Sequence, residues 1–354
     1  MSVTLADVAA RAGVSAATVS RVLNGNYPVA GETRSRVLRA VEELEYVVNG
    51  PASALAAATS DLVGVLVNDI ADPFFAVMAS AVQSEMGPGS DGGGSGSREP
   101  RNPQMMAIIC NTGGFPEREL TYLTLLQRQR AAAVVLTGGT VEDPAHSEAL
   151  ATRLRRLSDA GTRVVLCGRP PLPGSDALTV TFDNRGGARR LTEHLLSLGH
   201  RRLGYLAGPA ARTTTRHRLE GHHVALAEAG LAGEATLTVH GAYDRAAGYD
   251  GTLELLRREP RLTAILAAND TVALGVCAAL RDRGLRIPED ISVTGFDDLP
   301  FAVDATPALT TVRLPLADAA ARAGRLALGR ETPPAGGVAT YHADLMARAS
   351  TAPP

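Results

Sequence analysis

Residues 4–25, "TLADVAARAGVSAATVSRVLNG", read as two short helices joined by a tight turn. Thr4 is placed to cap the first helix, and Asp7, three residues on, complements its exposed N–H groups and the positive end of its dipole. Leu5, Val8, Ala9 and Ala12 recur at helical spacing and form an apolar stripe. Gly13 supplies the positive φ that lets the chain leave one helix and enter the next within a few residues. Ser15 is an N-cap for the second helix, with Val14 and Val19 as a hydrophobic staple across it. Once Val19, Val22 and Leu23 turn inward, the outer face is Ala16, Ala17, Ser20, Arg21 and Asn24, which is small, polar and cationic. Such a face fits a DNA major groove, and an ordinary helical hairpin with a solvated side has the same geometry, so spacing alone leaves both open.

Outward from this stretch, a loop through Tyr27 and Pro28 leads to a third helical pattern with Val37, Leu38, Val41 and Leu44 at i, i+1, i+4 and i+7. These four are predicted to close a three-helix core over Leu5, Val8, Val19 and Leu23. The formal net charge of the 354-residue chain is only -2, but Arg11, Arg21, Arg34, Arg36 and Arg39 face a single acid, Glu32, between positions 11 and 39. Segregated charge of this kind suits a nucleic-acid contact without a basic whole.

From Asp61 the pattern changes. Apolar runs at 62–67, 106–110, 132–136, 163–167, 178–182, 203–206, 237–239, 264–267 and 291–295 alternate with helix-like segments. Continuous apolar strands between helices predict parallel sheets covered on both faces. The fold class is therefore an N-terminal all-α helix-turn-helix head followed by an α/β core of two doubly wound parallel-sheet lobes facing a cleft. Residues 87–104, "GPGSDGGGSGSREPRNPQ", cannot bury enough apolar surface to order themselves and read as a flexible insertion. A phosphate-cradling loop needs a strand before it and a helix after it, the reverse of what stands here.

The opening stretch closely resembles the helix-turn-helix of the LacI/GalR (lactose/galactose repressor) family. Further motifs run in that family's order: "DNRGGARRLTEHLLSLGHRRLGYLAG" from Asp183, "AILAANDTVALGV" from Ala264, "GLRIPEDISVTGFDD" from Gly284, "PALTTVR" from Pro307 and "ARAST" near the end. The resemblance implies a head at 1–48, a hinge helix at 49–60 and an effector-binding core at 61–354 of the periplasmic-binding-protein-like type. Within that core it places lobe 1 at about 61–180 and 292–316 and lobe 2 at about 181–291 and 317–354.

It further implies a homodimeric transcriptional regulator whose heads read the half-sites of a pseudo-palindromic double-stranded DNA operator. Arg21 would pair with guanine, Ala16 and Ala17 would offer methyl contacts to thymine, and Thr4, Ser15, Thr18 and Ser20 would touch phosphates. Asn24 shares that face, and Leu55 would wedge between base pairs in the minor groove. The chain departs from the family pattern at Val48, where a Pro is usual, at Ser53, where a basic residue is usual, and at Ala30, where a Ser commonly caps the third helix.

In the cleft the resemblance implies a small polar effector, a carbohydrate, held by Asp270 and Arg218, with Phe74 and Tyr243 against its faces and Asp183 and Asp297 beside it. A carboxylate accepts two hydroxyl donors in one plane, and a guanidinium offers a fork of donors to the same ring. No nucleophile elbow, no GxGxxG after a strand and no metal-ligand spacing stands in the sequence, so neither an enzyme nor a cofactor or metal is expected. Cys110, Cys167 and Cys277 lie far apart and read as reduced, buried thiols. His217, His222 and His223 read as surface or cleft-rim residues, and His200 as a helix-end residue partnered by the dipole. No leader or long apolar run is present, which predicts a cytoplasmic protein with no membrane partner. The alternative is a cytoplasmic sugar-binding module that does not bind DNA.

Overall fold

The computed structural model describes residues 3–24, 28–44, 46, 60–87, 105–231 and 237–354. The chain forms two compact units, one up to Ser60 and one from Asp61.

The first unit holds α1 (Leu5–Ala12), α2 (Ala16–Asn24) and α3 (Gly31–Glu43). Thr4 and Asp7 form a reciprocal capping box, with the Thr4 amide donating to the Asp7 carboxylate at 2.8 Å. Gly13 takes φ 65° as the chain leaves α1, and Ser15 Oγ accepts the Thr18 amide at 3.2 Å as α2 begins. Val8, Val19, Val22 and Val37 are buried together with Ala9, Ala12 and Ala40, and Leu5, Leu23, Val41 and Leu44 pack around them. Leu38 departs from the predicted core, because it is 47% exposed. At about 100° per residue, Val37 and Leu38 cannot face one core together, and Ala40, three positions on, takes the inward place. The predicted hinge residues 49–59, including Leu55 and Ser53, lie outside the described residues, as do Val48 and residues 88–104 of the insertion.

The second unit is built on two parallel sheets. The larger contains β1 (Ser60–Val67), β2 (Met106–Asn111), β3 (Ala131–Thr137), β4 (Arg163–Cys167), β5 (Leu178–Phe182) and β11 (Val338–Tyr341), in the order β11-β5-β4-β3-β1-β2. The smaller contains β6 (Leu203–Ala207), β7 (Thr238–His240), β8 (Ala264–Ala267) and β9 (Ser292–Thr294), in the order β7-β6-β8-β9. Strand periodicity divides the first sheet into two faces. Val63, Val65, Ala133, Val135 and Val165 join one apolar cluster, while Leu66, Val134, Leu136, Val164 and Leu166 join another on the opposite side.

On the first face of that sheet lie α4 (Pro73–Ser84) and α11 (Leu316–Leu328), and on the second α5 (Pro116–Arg128) and α6 (Pro144–Asp159). The smaller sheet is flanked by the paired helices α7 (Asn184–Ser197) and α8 (Thr213–Glu228) and by the pair α9 (Arg245–Arg258) and α10 (Asp270–Asp282). β10 (Thr311–Arg313) and β12 (Asp344–Met346) form a short antiparallel ribbon, with Val312 opposite Leu345.

Pairing within the two parallel sheets corrects the predicted lobe boundaries. β9 pairs with β8, so 292–294 belongs to the second lobe rather than the first. β11 pairs with β5 and α11 packs on α4, so 316–341 returns to the first lobe rather than staying in the second. The chain thus crosses between lobes three times, after β5, through β10 and before β12. The sequence motif order locates the crossings only where a strand is long enough to be read.

Candidate functional site

A cavity of about 500 Å3 opens between the two sheets of the core. That volume falls within the range of small-molecule sites, roughly 300–1,000 Å3. Its wall is drawn from the loops at the ends of successive strands: Asn68, Asp69 and Asp72 after β1, Gly113 and Gly114 after β2, Gly138 and Gly139 after β3, and Gly168 after β4. The second lobe supplies Arg212 and Thr214 after β6, Tyr243 after β7, Asn269 and Thr271 after β8, and Asp297 after β9. Carboxyl ends of parallel strands are where open α/β sheets leave backbone and side chains free for a ligand.

Arg218 is held in place from three directions. It is 3% exposed, donates through Nε to Asn184 Oδ1 at 2.9 Å and through Nη2 to Asp297 Oδ1 at 2.8 Å, and also donates to the Ala268 carbonyl. Its guanidinium stacks on Phe296 with 3.7 Å to the ring centroid. Burial pushes the Asp297 carboxyl up to about 6 against the opposing pull of Arg218. Asp297 also carries a φ of 105°, a conformation that an L residue holds only when its surroundings fix it, and here the Asp297 amide is tied to the Val312 carbonyl at 2.8 Å. A guanidinium and a carboxylate so fixed present donors and acceptors to a ligand without further ordering.

Phe74 is the second residue of α4, its amide held by the cap Asp72, and its ring meets Phe75 edge-on at 5.0 Å. Tyr243 stands on the opposite wall, its hydroxyl 2.7 Å from Thr215 Oγ1. These two rings give the cavity apolar faces among polar groups.

Four of the six predicted cleft residues line the cavity: Phe74, Arg218, Tyr243 and Asp297. Asp183 and Asp270 do not. Asp183 caps α7, accepting the Gly186 amide at 2.8 Å, and pairs with Arg190 at 3.2 Å. Asp270 is fully buried behind the wall, accepting from Thr311 Oγ1 at 2.6 Å and from the Leu299 amide at 2.7 Å, so it fastens α10 to the chain passing between the lobes. Burial, with Asp297 nearby, raises its carboxyl to about 8. Its neighbours Asn269 and Thr271 reach the cavity instead. Sequence reasoning missed these two, together with Asn68, Asp72, Asn184 and Arg212, although each comes after a strand and the rule that singled out Asp270 covers them as well.

His222 is not at a rim, since it is 3% exposed, bonded through Nδ1 to Thr192 Oγ1 at 2.9 Å, and held down to about 3 by burial and by His223. His200 is bonded to Thr263 and to the Ala352 carbonyl rather than resting on a helix dipole alone. The three cysteines are free, with Cys110 and Cys167 buried and Cys277 partly so. Among the described residues no group of three or more His, Cys, Asp or Glu could hold a metal ion, and no helix is long and apolar enough to cross a membrane.

In the head, Ser15, Ala16, Ala17 and Arg21 are exposed along α2, with Thr18 and Ser20 partly so. Ser15 Oγ and Thr18 Oγ1 lie 2.9 Å apart, and the Thr4 hydroxyl donates to Asp7 at 2.7 Å. The Asn24 side chain lies outside the described set.

Comparison with known proteins adds to this geometry. Residues 4–49 match the model of bacterial regulatory proteins of the lacI family, and residues 192–351 match a periplasmic binding protein-like domain. The chain is 39% identical over 327 residues to the transcriptional regulator GalS of Salmonella typhimurium, covering 92% of this chain and 89% of that protein. It is 35% identical to GalR of Escherichia coli, covering 92% and 88%. Among solved structures it is similar to the lac repressor dimer bound to operator and an anti-inducer, with a TM-score of 0.78, 27% identity, and 99% and 100% of the two chains covered. It is also similar to a complex of the regulator CelR with cellobiose, with a TM-score of 0.67, 31% identity, and 98% and 99% covered.

Proposed function

The chain belongs to the LacI family of bacterial regulatory proteins, and from that premise we infer that its core is a saccharide receptor that sets the operator affinity of its head. The protein is a DNA-binding transcriptional regulator. The observation that carries the receptor reading is the preformed triad of Asn184, Arg218 and Asp297, set in a cavity that also offers Phe74 and Tyr243 as apolar walls. A sugar ring has hydroxyls at its edge and C–H groups on its faces, and this wall matches both. The similar regulator CelR, solved in complex with cellobiose, supports a carbohydrate as the ligand.

The protein acts as a homodimer on a pseudo-palindromic operator, with Arg21 as the base-reading side chain and Thr4, Ser15, Thr18 and Ser20 on phosphates. The sugar acts by changing how the two lobes meet, and that change alters the head spacing.

The test is an anisotropy titration of a duplex selected from random sequence by the purified chain, with and without galactose or cellobiose. The selected duplex should be palindromic and its binding salt-dependent, Arg21→Ala should weaken it by about 5- to 150-fold, as loss of a guanine contact worth about 1–3 kcal/mol implies, and one of the sugars should shift the midpoint. A chain that selects no palindrome, while still binding a sugar in calorimetry, would instead be a binding module without a DNA role.

A further inference from the structure

Arg212 stands just before α8 in the second lobe, yet its guanidinium ends in the first. It donates to the Gly114 carbonyl at 2.6 Å and to the Gly139 carbonyl at 3.1 Å. The backbone beside it continues the connection, because the Glu142 amide donates to the Ala211 carbonyl at 2.7 Å and the Thr213 amide to the Thr140 carbonyl at 3.1 Å. Val141 and Arg212 form an antiparallel bridge, and Arg216 pairs with Glu142 at 2.6 Å.

The first lobe is shaped to receive this tip. A Cβ at Gly114 would come within 2.6 Å of Arg212 Nη2, and one at Gly139 would collide with the Thr214 hydroxyl. Behind Arg212 lies a small recess lined by Thr112, Glu119 and His146, which the guanidinium separates from the main cavity. The bond donors of Arg212 go to carbonyls that close the gap, whereas Arg218 bonds within its own lobe and its crossing segment.

We propose that Arg212 is a positioning residue of the cleft that latches the two lobes together beside the cavity. Effector entry requires Arg212 to leave the two carbonyls, and its return traps the ligand. The proposal rests on the effector reading only for that consequence, because the latch itself is made of contacts within the chain.

Hydrogen exchange on the full-length chain without any sugar tests it. The Glu142 and Thr213 amides are bonded only while the lobes meet, so their exchange reports opening. They should be protected in the wild-type chain and exchange about 10-fold or more faster in Arg212→Ala, with Arg212→Lys, which keeps the charge but loses the fork, in between. The Val134 and Val135 amides within β3 should be unchanged in all three. Absence of protection in the wild type, equal rates in wild type and Arg212→Ala, or equal acceleration at Val134 and Val135 would each overturn the proposal. Since no sugar or DNA is used, none of these outcomes bears on whether the cavity binds a saccharide.

Discussion

Glu119 is 8% exposed and would sit badly there alone. Burial works to raise its carboxyl, but Arg169 at 3.1 Å and His146 at 3.5 Å outweigh burial and hold it down at about 2. An acid whose folded value lies below its ordinary 4.5 adds stability that is complete above that pH and is lost as the pH falls toward about 2. Glu119→Gln keeps the shape but leaves Arg169, itself 2% exposed, without its counter-charge. Removing one partner of such a pair costs about 3 kcal/mol. Urea denaturation should show that loss at pH 7 and a much smaller one near pH 2.5, and an equal loss at both would contradict the pairing.

Residues of this kind were hidden in the sequence because Glu119, His146 and Arg169 are spread over α5, α6 and the end of β4. Arg218 and Asp297 were legible through their motifs. Asp270 was misplaced because "polar residue after a strand" does not say whether the side chain turns into the cleft or under the crossing chain, and here Thr311, some forty residues on, decides it.

At the scale of elements, the strands that could be read were those lying in largely apolar runs between helical segments. β4, β5 and β8 fall where the apolar runs at 163–167, 178–182 and 264–267 placed them. β10, β11 and β12 carried no such signal, since Thr311, Arg313, Thr340 and Asp344 break their apolar character, and partners far along the chain supply their pairing. Helix ends were legible where a cap exists and also where one is missing. Ala30 precedes α3 with no side-chain hydrogen bond to its first turn. Ala30→Ser supplies the missing acceptor and should stabilise the head by about 1 kcal/mol, seen as slower exchange of the α3 amides and a higher head melting point. No change in either would mean that the first turn of α3 gains nothing from a side-chain acceptor there.

At the scale of the whole molecule, the division at Ser60 and Asp61 separates a small helical unit, with a core of valines and alanines, from an α/β unit with far more buried surface. The smaller unit buries proportionally less of its chain and is the more marginal of the two. Calorimetry of the full chain should therefore resolve two transitions, the lower from the head and the higher from the core. A ligand stabilises only the unit that binds it, by about 2.7 kcal/mol at a hundred times its Kd. A sugar held by Arg218 and Asp297 should raise the upper transition and leave the lower one in place, whereas operator DNA should raise the lower one. Arg218→Ala should abolish the sugar's shift of the upper transition and leave the DNA shift of the lower one intact. If the sugar instead moved both transitions together in the absence of DNA, the two units would be coupled before the operator is bound, and regulation would have to act through a contact between head and core rather than through the spacing of the heads on the operator.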